Sequence, residues 1–463
     1  MPSTPAAAPT PAAGDAPDAA ELAACLRVLA QARAADPDDP RWQPVLRANR
    51  QLYQANRKAR KASRRAAKRN EDLALLAATT RFREQDPGPV PEAGRAKPSK
   101  RLLGNARPCY VCKSLYREVH PDYHMLCPEC ADENATRRHA RCDLRGRTAV
   151  VTGGRVKIGF QVALKLLRDG AEVLVTTRFP RDAARRFAAV PDSGEWLGRL
   201  GVHGVDLLDL PGVAGLLETV HDRFDHLDIL VNNAAQTIRR PAAYHREVRA
   251  GEALPLAGDA ARVELTAPGR PPETALAVPA PADAALFPAG RVDETGQPLD
   301  LRDRNSWSLR LHEVDPAEWL EVQLINAFAP FLLTSRLRGL LEASPWPDRY
   351  VVQVSAMEGS FARENKTVRH PHTNMAKASL NMLTRTSAAD YAASGIHMTS
   401  VDTGWVTDER PHPSKSAERA AGFRPPLDVI DGAARVYDPI VRGVAAGERM
   451  SGLFLKDYRP VEW

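Results

Sequence analysis

The segment Arg147–Gly159, reading RTAVVTGGRVKIG, constrains the fold more than any other stretch of the chain. A short apolar run, Thr148–Val151, ends on a glycine pair and opens onto a helical pattern over Phe160–Arg168. Strand, tight glycine turn and helix in that order form a phosphate cradle: backbone N–H groups and a helix N-terminus face the anion, and glycine lets the backbone come close. Lys157 stands where a further glycine would allow the closest approach.

From Asp143 onward strand and helix patterns alternate. Strands are expected over Thr148–Val151, Glu172–Thr177, Val202–Asp206, Asp228–Val231, Tyr350–Val354, His397–Val401 and Leu453–Leu455. The helices between them fall at Gly159–Arg168, Arg181–Ala189, Leu216–Phe224, Pro316–Arg338 and Ala376–Tyr391. Such alternation predicts an α/β domain, a Rossmann-type doubly wound parallel sheet, over residues 143–463. It breaks at about 237–313, a segment rich in Pro, Ala, Gly and charge, which reads as an insertion able to cap a pocket.

The first 142 residues are organised differently. Residues 1–20 are Ala/Pro-rich, lack the apolar surface that offsets ordering entropy, and are expected to be disordered. Residues 21–85 form a helical basic region: a short helix at Glu21–Ala34, then one long helix over Val45–Phe82 without internal Gly or Pro. Ten cations, Arg47, Arg50, Arg57, Lys58, Arg60, Lys61, Arg64, Arg65, Lys68 and Arg69, crowd its middle. The favoured reading is a solvated face or a partner-docking arm. Nucleic acid or another acidic partner at residues 45–70 is the less favoured one, and Tyr53 alone offers no stacking platform for single strands. Residues 86–105 read as a linker.

Residues 106–142 carry two CxxC turns, Cys109/Cys112 and Cys127/Cys130, separated by fourteen residues. Each turn presents two thiolates, and the gap is long enough for a hairpin that closes a tetrahedral four-cysteine zinc site. A redox dithiol or two chance CxxC turns are the competing readings. Four thiolates leave no open position for water, so the zinc is expected to be structural, with His120 and His124 as non-ligands and Cys142 as a small buried residue.

Net charge of +7 does not by itself imply nucleic acid, and no apolar run reaches the ~20 residues of a membrane span. The N-terminus lacks the charged-then-apolar layout of a secretory signal, so a reducing, cytoplasmic setting is expected.

The ordered motifs of residues 143–463 resemble the short-chain dehydrogenase/reductase family. TGGRVKIG stands for its glycine-rich turn, Asp206-Leu207 for the adenine-holding pair, and Asn232-Asn233-Ala234-Ala235 for its NNAG motif. Asn326 matches the helix asparagine of the proton relay and Ser355 the catalytic serine. Lys377 matches the lysine of YxxxK, and Thr403-Gly404 the Pro-Gly turn, with Thr407 placed to reach the nicotinamide carboxamide. The resemblance implies that Gly153, Arg155, Lys157, Ile158, Gly159, Asn233, Ala234 and Gly404 border a dinucleotide. It also implies a small-molecule substrate and a homo-oligomer built on the Ala376–Tyr391 helix. Strand two ends VTTRF, with no acid before Asp182, and Arg178 and Arg155 suit the 2′-phosphate of NADP better than the 2′-hydroxyl of NAD.

One position departs from the pattern. Thr373 stands where the family has its tyrosine, and an aliphatic hydroxyl is a poor general acid near neutral pH. The neighbouring His372 is the first candidate for a replacement acid/base, and a loop histidine beside Pro371 is its plain reading. Two functions follow: an NADP-dependent oxidoreductase moving hydride between nicotinamide and a carbonyl or hydroxyl carbon, or a catalytically degenerate NADP-binding sensor or scaffold that interacts through its zinc module and basic helix.

Overall fold

The computed structural model describes residues 17–85, 101–267 and 284–463. The expectations for residues 1–16, for linker residues 86–100 and for 268–283 of the insertion fall outside them. The chain divides into two compact units, 1–72 and 73–463.

In the first unit, α1 (Ala19–Ala34) opens on a capping box in which the Asp18 carboxylate accepts from the Ala20 and Glu21 amides. A second helix, α2 (Gln43–Ala77), runs on without Gly or Pro. It stops short of Phe82 because the buried Thr79 hydroxyl donates back to the Leu76 carbonyl at 2.8 Å, a local bond that competes with the helix ladder, and α3 (Thr80–Glu84) restarts beyond it.

Antiparallel β1 (Leu102–Pro108) and β2 (Leu115–Glu118), followed by α4 (Pro128–Arg138), make a small cysteine-bearing module. Leu102–Asn105, expected in the linker, therefore belongs to a strand. The α/β part then runs β3 (Thr148–Val151), α5 (Lys157–Arg168), β4 (Glu172–Thr177), α6 (Pro180–Ala188), β5 (Leu200–Gly204), α7 (Leu210–Arg223) and β6 (Ile229–Asn232). The insertion contributes α8 (Arg246–Glu252) and β7 (Glu264–Thr266). After it come α9 (Pro316–Gln323), α10 (Ala329–Arg336), α11 (Arg338–Glu342), β8 (Arg349–Ser355), α12 (Pro371–Ala393) and β9 (Ile396–Asp402). The chain closes with α13 (His412–Ala420), α14 (Val429–Ala446), β10 (Leu453–Lys456) and β11 (Arg459–Val461).

The main sheet has the order β11-β10-β9-β8-β6-β3-β4-β5-β7, parallel except for β11. Every residue of β3, β6 and β8 is buried, as strands covered by helices on both faces must be. One face packs against α5, α6 and α14 and the other against α7, α10, α11 and α12. Chain order reverses between β3 and β6, so their carboxyl ends open the crevice where doubly wound folds bind ligands.

Candidate active site

A cavity of about 1400 Å³ lies at the carboxyl ends of β3, β4, β6, β8 and β9. Gly153, Arg155, Lys157, Ile158, Gly159, Arg178, Asp206, Leu207, Asn233, Ala234, Ser355, Thr373, Lys377, Gly404 and Thr407 all line it. Asn326 and His372 do not.

The turn is built for close approach. Gly153 has φ +69°, and a Cβ at Gly159 would fall 2.4 Å from the Gly153 carbonyl oxygen and 2.3 Å from the Asn233 amide. That Asn233 Nδ2 donates to the Thr152 and Gly153 carbonyls at 2.9 and 3.2 Å, while the Thr152 hydroxyl accepts the Asn233 and Ala234 amides. The asparagine motif thus ties β6 to the turn. Lys157 holds φ +53°, a conformation glycine adopts without strain and lysine does not. Its ammonium donates to the Glu409 carboxylate at 3.0 Å, and the Thr407 hydroxyl donates to the same oxygen at 2.8 Å. Burial would raise the Glu409 carboxyl, but Lys157 and Arg240 hold it at about 2.

At the other end of the turn, Arg155 is committed to Asp182 at 2.6 Å and Gln297 at 2.9 Å and lies over the Phe179 ring. Arg178 lies over the same ring but is exposed and pairs with no acid among the described residues. Two further basic residues after β9 are neutralised: Arg410 by Asp408 and Glu418, and Lys415 by Glu294.

The reacting corner is formed by the ends of β8 and β9 and one face of α12. Ser355 and Asp402 pair directly in the parallel register. The buried Ser355 hydroxyl donates to Asn381 Oδ1 at 2.6 Å. Lys377 Nζ donates to the Val354 carbonyl at 2.7 Å, and burial lowers its pKa to about 8 against the pull of Glu358 and Asp402. Asp402 is raised to about 6, chiefly by burial, with Asp457 and Glu358 adding to the push. Thr373 sits one turn before Lys377, buried, with its hydroxyl unpartnered among the described residues.

His372 points elsewhere because α12 starts at Pro371, five residues ahead of the expected Ala376. Inside a helix, adjacent residues diverge by about 100°, so Thr373 and Lys377 share the cavity face while His372 turns into the core. Its ring is buried, neither nitrogen has a hydrogen-bond partner among the described residues, and Nε2 lies 3.5 Å from the Glu318 carboxylate. His370, by contrast, lines the cavity and stacks on Trp307 with centroids 3.9 Å apart. Asn326 lies in a π-helical turn, Leu324–Phe328, that interrupts the expected Pro316–Arg338 helix. Both ends of its amide are bonded to the Gln236 backbone, at 2.7 and 3.1 Å.

The cysteine module contributes to the cavity, which its sequence does not signal. Tyr110 and Lys113, in and beside the first CxxC turn, are wall residues. The Tyr110 hydroxyl accepts the Trp405 amide at 2.9 Å, one residue past the Thr403-Gly404 turn. Arg138 of α4 donates to Asp428 and Asp431 at 2.7 and 2.8 Å, and the Tyr123 hydroxyl donates to Asp431 at 2.8 Å, fixing the module to the start of α14. The sulfurs of Cys109, Cys112, Cys127 and Cys130 lie within 4.8 Å of one another, near the ~3.8 Å edge of a tetrahedron with 2.3 Å zinc–sulfur bonds. His124 instead sets its ring nitrogen 3.2 Å from the Arg424 carbonyl, and His120 is 3.3 Å from Asp132.

Comparison with known proteins fits this geometry. The short chain dehydrogenase family model matches residues 147–252, and the model described as Enoyl-(Acyl carrier protein) reductase matches residues 304–422. The uncharacterized protein R665 of Acanthamoeba polyphaga mimivirus is 35% identical over 346 residues, covering 72% of this chain and 71% of that protein. The chain belongs to the short-chain dehydrogenase/reductase family. Carbonyl reductase [NADPH] 1 of Sus scrofa is 36% identical over 102 residues, 21% of this chain and 34% of its own length. D-beta-hydroxybutyrate dehydrogenase of Cupriavidus necator is 35% identical over 91 residues, 20% and 34% of the two chains. With these two relatives the match spans about a third of their length. An NADPH-bound carbonyl reductase from chicken fatty liver aligns with 69% of this chain and all of its own, at 18% identity and TM-score 0.44. Between the two family matches lies the segment 253–303, which contains β7.

Proposed function

We propose that the protein is an NADP-dependent oxidoreductase acting on a small carbonyl or alcohol. The observation that carries this reading is the convergence of the glycine turn, Asn233, Ser355 and Lys377 on one cavity, where Arg178, at the end of β4, pairs with no acid among the described residues. Gly153, Ile158 and Gly159 would take the pyrophosphate, and Asp206 and Leu207 the adenine. Arg178 would take a 2′-phosphate, as a guanidinium fork does. Glu409 must yield Lys157 to the pyrophosphate, since a buried carboxylate and a phosphate repel each other.

A bound nicotinamide supplies or accepts the hydride. Ser355 orients the substrate oxygen by swinging its hydroxyl from Asn381. Lys377, with its proton held weakly, replaces the phenol as the group that hands a proton to that oxygen, directly or through one water. His372 has no path to the oxygen from its position in the core. Thr373 leaves room for substrate where a ring would stand. The four cysteines hold a structural zinc ion, a role supported by their sulfur spacing.

The test is oxidation of NADPH by the purified chain across a panel of aldehydes and ketones, with metal analysis alongside. Turnover with one zinc per chain supports the reading. Tight NADPH binding without turnover of any carbonyl or alcohol would support the second reading, a dinucleotide-binding sensor, which the absent phenol at position 373 favours.

A further inference from the structure

The ten cations between Arg47 and Arg69 have no part in the cavity. That stretch contains no acid, and the whole chain carries only +7, so the rest of the protein is net acidic. Every residue from Arg47 to Arg65 is exposed. None of the ten cations forms a hydrogen bond or ion pair among the described residues, and all lie on one continuous helix, α2. At 3.6 residues per turn they occupy about half of the helix circumference over ~33 Å of length.

This arrangement works against the isolated helix. Like charges three and four residues apart, as at Arg57, Lys61, Arg64 and Lys68, repel one another along the helix. No neighbouring acid offsets them, whereas a polyanion along this face would.

The opposite face indicates which polyanion. Leu52, Ala55, Ala59, Ala62 and Ala66 repeat at three- and four-residue spacing, so small side chains cover most of it. Leu52 is its one large apolar side chain, so it lacks the row of large anchors that a protein groove or a bilayer interface takes from a helix. One aromatic, Tyr53, is too few for single-strand stacking. A slim helix about 10–12 Å across fits the ~12 Å major groove of B-form DNA, and its length matches about one helical turn of duplex. The deep, narrow major groove of an RNA duplex does not admit such a helix. We infer that the Arg47–Arg69 face of α2 docks in the major groove of double-stranded DNA, its cations on the flanking phosphates.

The full chain is titrated by fluorescence anisotropy against a labelled DNA duplex of about one to two helical turns, an RNA duplex of equal length, and poly-glutamate. If six of the ten cations meet phosphates, affinity for DNA falls on the order of 10³-fold between about 50 and 200 mM salt. The combined variant Arg57→Ala, Lys61→Ala, Arg64→Ala and Lys68→Ala keeps helical content, because alanine is the best helix former, and binds DNA at least ~100-fold more weakly at low salt. The inference is overturned by RNA or poly-glutamate binding as tightly as DNA, by a DNA affinity indifferent to salt, or by a variant that binds as well as the wild type. If the variant fails to fold, the wild-type preference for DNA over RNA and poly-glutamate, together with its salt slope, still decides the matter.

Discussion

Replacing Thr373 with tyrosine should add a phenolic proton donor beside Lys377. Thr373 is 3% exposed, its hydroxyl is unpartnered among the described residues, and it opens onto the cavity one helical turn before Lys377. A phenol there would project along the same face as the Lys377 ammonium, whose charge favours the ionised phenol and so lowers its pKa. A well-placed general acid contributes about 10²–10⁴-fold. Because Lys377 already serves in part, the gain should sit at the low end, about 10–100-fold in kcat, or ~1.4–2.7 kcal/mol. The bulk costs about 1–3 kcal/mol of stability by overpacking, read as a lower Tm. The assay is NADPH oxidation at saturating carbonyl, run beside Thr373→Phe, which fills the space without a hydroxyl. A folded Thr373→Tyr protein no faster than wild type, or a phenylalanine variant that gains as much, refutes the reasoning.

Three further outcomes follow from the site. In the wild type, Lys377 is protonated below its pKa of about 8, so carbonyl reduction should be flat at lower pH and fall about tenfold per unit above it; a profile flat to high pH removes Lys377 as donor. Arg178→Ala should weaken NADPH binding by about 10–100-fold, the worth of a charge-assisted contact, and leave NADH binding unchanged; equal losses for both cofactors would contradict a 2′-phosphate role. Tyr110→Phe leaves the Trp405 amide without its acceptor, so KM for the cofactor should rise by roughly two- to tenfold with kcat little changed, while a lowered kcat at constant KM would place Tyr110 in the chemistry instead.

Most of the doubly wound frame was legible because buried parallel strands such as TAVV and EVLVTT read as short runs rich in β-branched residues. The signal failed where glycine diluted it: β5, reading LGVHG, starts two residues before the expected Val202. It failed again for β7, whose three residues ELT take strand form by pairing with β5 and carry too short a pattern to be seen. The positions of the glycine turn, Ser355 and Lys377 could be read from motifs, since motif spacing survives changes elsewhere. His372, the candidate acid/base beside Thr373, lies off the cavity because a one-residue neighbour in sequence is a turn of about 100° away on a helix that starts at Pro371 rather than at Ala376. Tyr110 and Lys113 gave no signal at all: their place in the wall depends on contacts between segments about 300 residues apart, such as Tyr110 with Trp405. The Lys157–Glu409 pair was hidden in the same way.

Hydride transfer itself is the most direct test of the account. NADPH deuterated at the transferring position of the nicotinamide ring is incubated with the protein and the best carbonyl of the panel, and the product is read by mass spectrometry. One deuterium on the carbinol carbon is expected for each NADPH consumed. Bound NADPH that keeps its deuterium in the presence of every carbonyl tested would contradict it.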